Sequence, residues 1–189
     1  MAQEYARIFA ALDGASTQEA VAQRAVTLAA DNHAKLMFGH VIDSVPYEAS
    51  GVDFEALCAE GKKRIEADLA DVLAAARQNP DIPSVEVSVH AGRIADTLEH
   101  ELIEPFEPNL VVCGERGLSN IKYVFVGSVS TFLIRNLRCE VLVVKQYGTR
   151  QNETGERGRW LAPFSARRSE SLDRLEPVGR FSFQPAEGG

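Results

Sequence analysis

Short apolar runs alternate along the chain with longer segments in which apolar residues recur every three or four positions. Compact apolar runs predict buried strands, whereas the longer period predicts helices that lay one face on a core. The predicted strands are Tyr5 to Leu12, Lys35 to Ile42, Val85 to Val89, Leu110 to Cys113 and Val141 to Val144. Their spacing leaves room for a helix between each pair of successive strands.

Helix boundary signals fall in these intervals. A capping box, Ser16-Thr-Gln-Glu19, marks the first helix start, because each end residue can bond the backbone amide of the other. The predicted helices run from Ser16 to about Asn32, from about Phe54 to Gln78, from Ile94 until Pro105 closes the segment, and from Ser128 to Asn136. Nearly continuous apolar strands that alternate with helices predict a doubly wound α/β domain, in which helices cover both faces of a parallel sheet.

The composition changes near residue 147. Residues 148–189 contain 7 of the 20 basic residues, all of them arginine, with 6 of the 14 glycines and 3 of the 8 prolines. Such a segment buries too little apolar surface to offset the entropy of ordering it. The chain is therefore predicted to be one domain, 1–147, with a disordered C-terminal tail, 148–189.

The charge balance and the length of the apolar runs limit the partners. Lys and Arg number 20 against 27 Asp and Glu, a formal net charge of −7, which disfavours nucleic acid. No apolar run approaches the length of a membrane span, and the N-terminus lacks the basic and apolar regions of a secretory signal. We expect a cytoplasmic protein that neither inserts into a membrane nor binds nucleic acid.

The cysteines and histidines have no metal-ligand spacing. Cys58, Cys113 and Cys139 form no C-x-x-C pair, and no two of the four histidines form H-x-x-x-H. The pattern predicts three separate thiols in a reducing compartment and no metal site.

Two turn-rich loops follow predicted strands, which is where a doubly wound sheet binds its ligands. One is Asp13-Gly14. The other, 114–128, carries three glycines whose backbone can approach a ligand closely, and Ser128 begins a helix whose free amides and dipole attract anions. Neither the P-loop nor the dinucleotide fingerprint is present, so spacing alone fits phosphate binding and a plain loop with a capped helix equally.

A larger pattern adds to these signals. Gly114-x-x-Gly117, nine residues and then Gly127-Ser128, followed by a helix and Val-Leu-Val-Val-Lys, resembles the ATP-binding branch of the universal stress protein family. Leu12-Asp13-Gly14 and His40-Val41, at the ends of the first two strands, also resemble that family. The resemblance covers Tyr5 to Lys145. It implies a five-stranded sheet in the order 3-2-1-4-5, with ATP across the ends of the first and fourth strands.

The resemblance also implies a set of ligand contacts. These are Ala11, Leu12 and Asp13 on the nucleoside side, Val41 beside the base, and Gly114, Arg116, Gly117, Gly127, Ser128, Val129 and Ser130 around the phosphates and ribose. Lys122, like Arg116, would neutralise phosphate charge. The family often has proline or another small residue where this chain has Ala11-Leu12. Three of these residues also have a plainer interpretation: Asp13 as a turn residue, Val41 as part of the core and Ser128 as a helix cap.

The implied function is an ATP-binding regulatory module of the stress response, with AMP or ADP as alternative ligands and Mg²⁺ as a companion ion. A nucleotide-free structural or interaction dimer and a slow ATP hydrolase remain alternatives. No Ser-His-Asp or Cys-His arrangement indicates an enzyme. The expected partners are a second copy of the chain, paired through Val141 to Val144, and a regulated protein of unknown identity.

Overall fold

Residues 5–14, 17–47, 49, 51–115 and 127–145 are described by the computed structural model of the chain. Within these residues five parallel strands form one sheet in the order β3-β2-β1-β4-β5. The strands are β1 (Arg7–Leu12), β2 (Lys35–Asp43), β3 (Val85–Gly92), β4 (Leu110–Gly114) and β5 (Glu140–Val144). The predicted fold class and strand order are confirmed.

Several predicted features lie outside the described residues. They are Ser16 of the capping box, Arg116, Gly117 and Lys122 of the glycine-containing loop, and the tail 148–189. The domain boundary near residue 147 stays a prediction.

Helices connect successive strands and cover both faces of the sheet. They are α1 (Gln18–Asn32), α2 (Phe54–Asp68), α3 (Ala70–Gln78), α4 (Ile94–Thr97), a π-helical segment (Leu98–Ile103), α5 (Glu104–Phe106) and α6 (Ser128–Asn136), with a 3₁₀ turn at Val45–Tyr47. None of the helices in the described part of the chain is long and apolar enough to cross a membrane.

Alternation along the strands divides the core into two layers. In β1, Ile8, Ala10 and Leu12 face α1, α2 and α3, whereas Phe9 and Ala11 face the segment from α4 to α6. Both layers contain buried side chains from the central strands β1, β2 and β4. The sheet is therefore covered on both sides, as a parallel sheet requires.

The predicted helix from Phe54 to Gln78 is wrong in one respect, because it is two helices that meet at Leu69. Leu69 has φ −111° and ψ 21°, outside helical values, although its amide still donates to the Ile65 carbonyl at 3.0 Å. Its side chain is buried with Ile65 and Leu73. Both helices contribute buried side chains to the same core layer on one face of the sheet.

Pro105 does not close the preceding helix. The helical segment widens into π turns over Leu98–Ile103 and continues through Pro105 to Phe106. Glu107, with φ 48°, then ends it in the left-handed conformation. Pro105 is the second residue of the short α5, and the π turns before it replace the regular α-helical bonding that a proline interrupts.

Gly39 provides the clearest test of this packing. A Cβ atom at Gly39 would lie 2.7 Å from Cε2 of Phe9, a fully buried ring on the adjacent strand. We predict that Gly39→Ala lowers the free energy of unfolding by about 1 to 3 kcal/mol through overpacking. Denaturant unfolding measures this, and the same change in a Phe9→Leu background serves as the control. Equal cost in both backgrounds would show that the Phe9 ring is not the obstacle.

Candidate functional site

A cleft opens at the carboxyl ends of the central strands, where β1 leads to α1 on one face and β4 leads to α6 on the other. Its volume is ≈ 460 Å³, which is within the range of small-molecule sites. The described residues that line it are Ala11, Asp13, His40, Val41, Ile42, Asp43, Ile94, Cys113, Gly114, Gly127, Ser128, Val129 and Ser130.

One wall of the cleft is apolar and comes from three neighbouring strands. Ala11, Val41 and Cys113 belong to the same core layer, and Ala11 is in register with Cys113. Ile94 and Val129 extend this wall from the helices that cover that layer. A flat apolar group such as a nucleobase fits such a wall.

Leu12 does not line the cleft with its side chain. It alternates with Ala11 and packs into the opposite layer, against α1 to α3. Its carbonyl oxygen, in contrast, accepts a hydrogen bond from the His40 ring at 2.9 Å. Leu12 thus contributes backbone, not a side-chain surface, to this end of the sheet.

Asp13 lies directly after β1 and is half-buried. Thr17 is the residue before α1, and its hydroxyl donates a hydrogen bond to Oδ2 of Asp13 at 2.8 Å. The carboxylate therefore organises the turn into α1 as well as lining the cleft. Glu19, the other end of the predicted capping box, accepts from the Gln23 side chain at 2.9 Å.

Gly114 is small for a reason unrelated to a ligand. A Cβ atom at Gly114 would lie 2.8 Å from Oγ1 and 3.3 Å from Cβ of Thr17. The start of α1 therefore packs directly on the end of β4, and any side chain at Gly114 would displace Thr17. Sequence spacing alone could not distinguish this packing requirement from close approach of a ligand.

The start of α6 presents backbone donors to the same cleft. The Gly127 amide is occupied, because it donates to the Glu115 carbonyl at 2.8 Å, and the Ser130 hydroxyl donates to the Gly114 carbonyl at 2.6 Å. The first amide that bonds within the helix is that of Thr131, to the Gly127 carbonyl. The amides of Ser128, Val129 and Ser130 therefore have no acceptor within the helix and carry its positive dipole end.

The charges around the cleft are acidic within the described lining. Asp13 and Asp43 contribute carboxylates, and no lysine or arginine is among the lining residues that the structure describes. The same part of the chain contains no group of three or more His, Cys, Asp or Glu side chains suited to a metal ion. An anionic ligand would therefore rely on the α6 amides in this region.

Most of the predicted site residues that are described come together in this cleft. Those that line it are Ala11, Asp13, Val41, Gly114, Gly127, Ser128, Val129 and Ser130. His40, Ile42, Asp43, Ile94 and Cys113 also line it, although sequence reasoning assigned them no ligand contact. His40 and Asp43 could have been predicted as cleft residues from their place at the end of β2, close to Val41 in the sequence.

Comparison with known proteins identifies the family. The sequence profile of the universal stress protein family matches residues 4–145. The chain belongs to this family. A universal stress protein homologue of Staphylococcus saprophyticus is 32% identical over 141 residues, which cover 75% of this chain and 84% of that protein. A homologue from Staphylococcus aureus strain USA300 is 31% identical with the same coverage.

Solved structures of the family share the fold. Universal stress protein UspA from Lactobacillus plantarum superposes with a TM-score of 0.63 at 23% identity, covering 75% of this chain and 98% of that chain. A universal stress protein solved in complex with cAMP superposes with a TM-score of 0.54 at 25% identity, with the same two coverages. The ligand named for that protein is an adenine nucleotide.

The buried thiol of Cys113 makes the stability of the fold depend on pH. Burial raises the pKa of the Cys113 thiol to about 11. In the unfolded chain the thiol ionises near its ordinary pKa of 9.0. Between pH 9 and pH 11 only the unfolded state loses the thiol proton. The contribution of the protonated thiol to the stability of the folded state is therefore complete below pH 9 and is lost as the pH rises towards 11.

We predict that wild-type protein loses stability relative to Cys113→Ala by about 1 kcal/mol per pH unit above pH 9. Denaturant unfolding of both proteins from pH 8 to 10.5 measures the difference in stability. Cys58 and Cys139 are present in both proteins, so their ionisation cancels in the comparison. Parallel stability curves would contradict the assigned burial of the thiol.

Proposed function

We propose that this universal stress protein binds ATP in the cleft described above and acts as a nucleotide-responsive regulatory module of the stress response in the cytoplasm. The base would lie on the apolar wall near Val41, with Asp13 on the nucleoside side. The phosphates would lie at the start of α6. A protein that reads the ligand state completes this role.

One observation carries the proposal. The start of α6, with three amides that have no acceptor within the helix, lines the same cleft as the apolar wall and Asp13. A nucleotide needs both features at once: a surface for its base and oriented donors for its phosphate oxygens. The cAMP complex of a relative with this fold gives further support for an adenine nucleotide.

Mg²⁺ would enter as part of the nucleotide complex. It prefers phosphate and water ligands with one or two carboxylates, rather than a cage of protein side chains. Bound to the phosphates, it would also reduce their repulsion from Asp13 and Asp43. We propose binding, and at most slow hydrolysis. Rapid phosphoryl transfer also needs a group that orients the attacking water, a role to which we assign no residue of the cleft.

A proline at Ser128 tests the amide contacts. Ser128 is the first residue of α6, where proline fits the helix, and Gly127 has φ −57° and ψ 160°, which suits a residue before proline. Ser128→Pro therefore deletes one amide donor and the hydroxyl without removing the helix. We predict that it weakens ATP binding about 10- to 150-fold, the effect of losing a hydrogen bond to a charged oxygen.

Calorimetry with two ligands and two control variants isolates this effect. Ser128→Ala removes only the hydroxyl and should cost less, and adenosine affinity should not change in Ser128→Pro. Asp13→Asn should weaken ATP and adenosine alike. If wild-type protein binds no adenine nucleotide, the proposal fails, and if Ser128→Pro binds ATP normally, the phosphates lie elsewhere.

We also propose a homodimer that pairs through β5. This strand is at the edge of the sheet, and Val141 to Val144 are only half-buried. The Glu140 amide and the Val144 carbonyl bond towards β4. Because successive residues of a strand direct their backbone groups to opposite sides, the amides of Val141 and Val143 point away from β4. Within the described residues no strand pairs with the outer edge of β5, and an apolar edge of this kind favours pairing with a second strand.

Val143→Pro tests this pairing. It removes an outward amide and leaves the ladder with β4 intact, so we predict conversion of a dimer to a monomer in sedimentation equilibrium. Leu142→Pro is the contrasting variant, because its amide bonds to β4 and its loss should destabilise the fold. A wild-type protein that is monomeric at micromolar concentration would contradict the proposed dimer.

A further inference from the structure

We infer that His40 is a positioning residue of the cleft: its imidazole bonds to the residue before Asp13, lies beside the turn that follows, and so holds the backbone that presents this carboxylate. His40 is half-buried near the end of β2, and it lines the cleft. The inference rests on the proposed nucleotide site for its functional part, and on the contacts of the ring for its structural part.

The first contact is with the residue before Asp13. Nδ1 of His40 lies 2.9 Å from the carbonyl oxygen of Leu12, its register partner on β1. Because a carbonyl oxygen only accepts, Nδ1 carries the hydrogen and donates it. This bond assigns the tautomer and leaves Nε2 as an acceptor when the ring is neutral.

The ring also lies beside the residue after Asp13. Gly14 has φ +69°, a conformation that side chains rarely adopt, and the space where its Cβ would be is 3.4 Å from Cε1 of His40. A side chain at this position would therefore meet the ring, which lies beside the turn out of β1. The hydrogen bond to the Leu12 carbonyl restrains the backbone that leads into Asp13.

Two neighbouring side chains together orient Asp13. Its carboxylate is also held by Thr17 from the start of α1. The imidazole restrains the backbone and the threonine hydroxyl restrains the side chain, so the two act on different parts of the same residue. Nucleoside recognition by Asp13 therefore depends on His40 through the backbone that His40 holds.

Two substitutions separate positioning through Leu12 from direct contact through Nε2. In His40→Asn the side-chain amide nitrogen can occupy the place of Nδ1 and keep the bond to Leu12, while the Nε2 position is empty. In His40→Gln the amide reaches the Nε2 position and the bond to Leu12 is lost. His40→Ala removes both groups.

The ligand-free protein gives the first readout. Nitrogen-15 spectra of the imidazole should show the Nδ1–H tautomer at pH 8. Amide hydrogen exchange of Asp13 and Gly14 should be faster in His40→Gln and His40→Ala than in wild type, and close to wild type in His40→Asn. An Nε2–H tautomer, or equal exchange in all variants, would overturn the inference whether or not the protein binds a nucleotide.

Calorimetry with ATP and adenosine gives the second readout. We expect His40→Ala and His40→Gln to weaken both ligands about fivefold, the worth of one neutral hydrogen bond, and His40→Asn to restore wild-type affinity. Restoration by glutamine and not by asparagine would show direct contact through Nε2 and overturn the positioning role. Failure of wild type to bind either ligand would refute the proposed function, whereas the exchange data would still decide the contact itself.

Discussion

The site depends on one topological constraint, which is the reversal of the connections between the two central strands. From β1 the chain passes to α1 on one face of the sheet, and from β4 it passes to α6 on the opposite face. Two neighbouring strands whose connections leave in opposite directions leave a gap at their carboxyl ends. The cleft, its apolar wall and the exposed start of α6 all follow from this arrangement.

Close packing at the strand ends then sets the shape of the gap. Gly114 allows α1 to approach β4 through Thr17, and the Ser130 hydroxyl ties α6 to the Gly114 carbonyl. The glycine thus lies between the starts of two helices that belong to opposite faces of the sheet. A residue that resembled a ligand contact in the sequence is required first by the packing of the protein itself.

Much of the fold could be predicted from the sequence because its signals are local. The bounds of α6 match the prediction from Ser128 to Asn136, since a glycine and a serine precede an amphipathic stretch. The break at Leu69 and the π turns before Pro105 were not predictable, because the apolar periodicity continues through both. Both departures lie where buried side chains pack on the sheet, and such tertiary contacts are not encoded locally in a single sequence.

The site was predictable in its outline and not in its detail. Asp13 and Val41 could be found from the resemblance, and both line the cleft. The role of His40 requires the register between β1 and β2, and the opposite orientations of Ala11 and Leu12 require the alternation of β1 within two core layers. Such features depend on pairs of strands rather than on any motif.

The central claim is that the base and phosphate ends of one nucleotide occupy this cleft together. Titration of nitrogen-15-labelled protein with ATP, followed by two-dimensional amide spectra, tests it most directly. If both ends of the nucleotide lie in the cleft, the amides of Ser128, Val129 and Ser130 shift saturably, in step with those of Asp13 and Val41. Saturating ATP that leaves these amides unchanged, or that shifts only the groove between α1 and β5 lined by Gln23, Arg24 and Leu142, would contradict it.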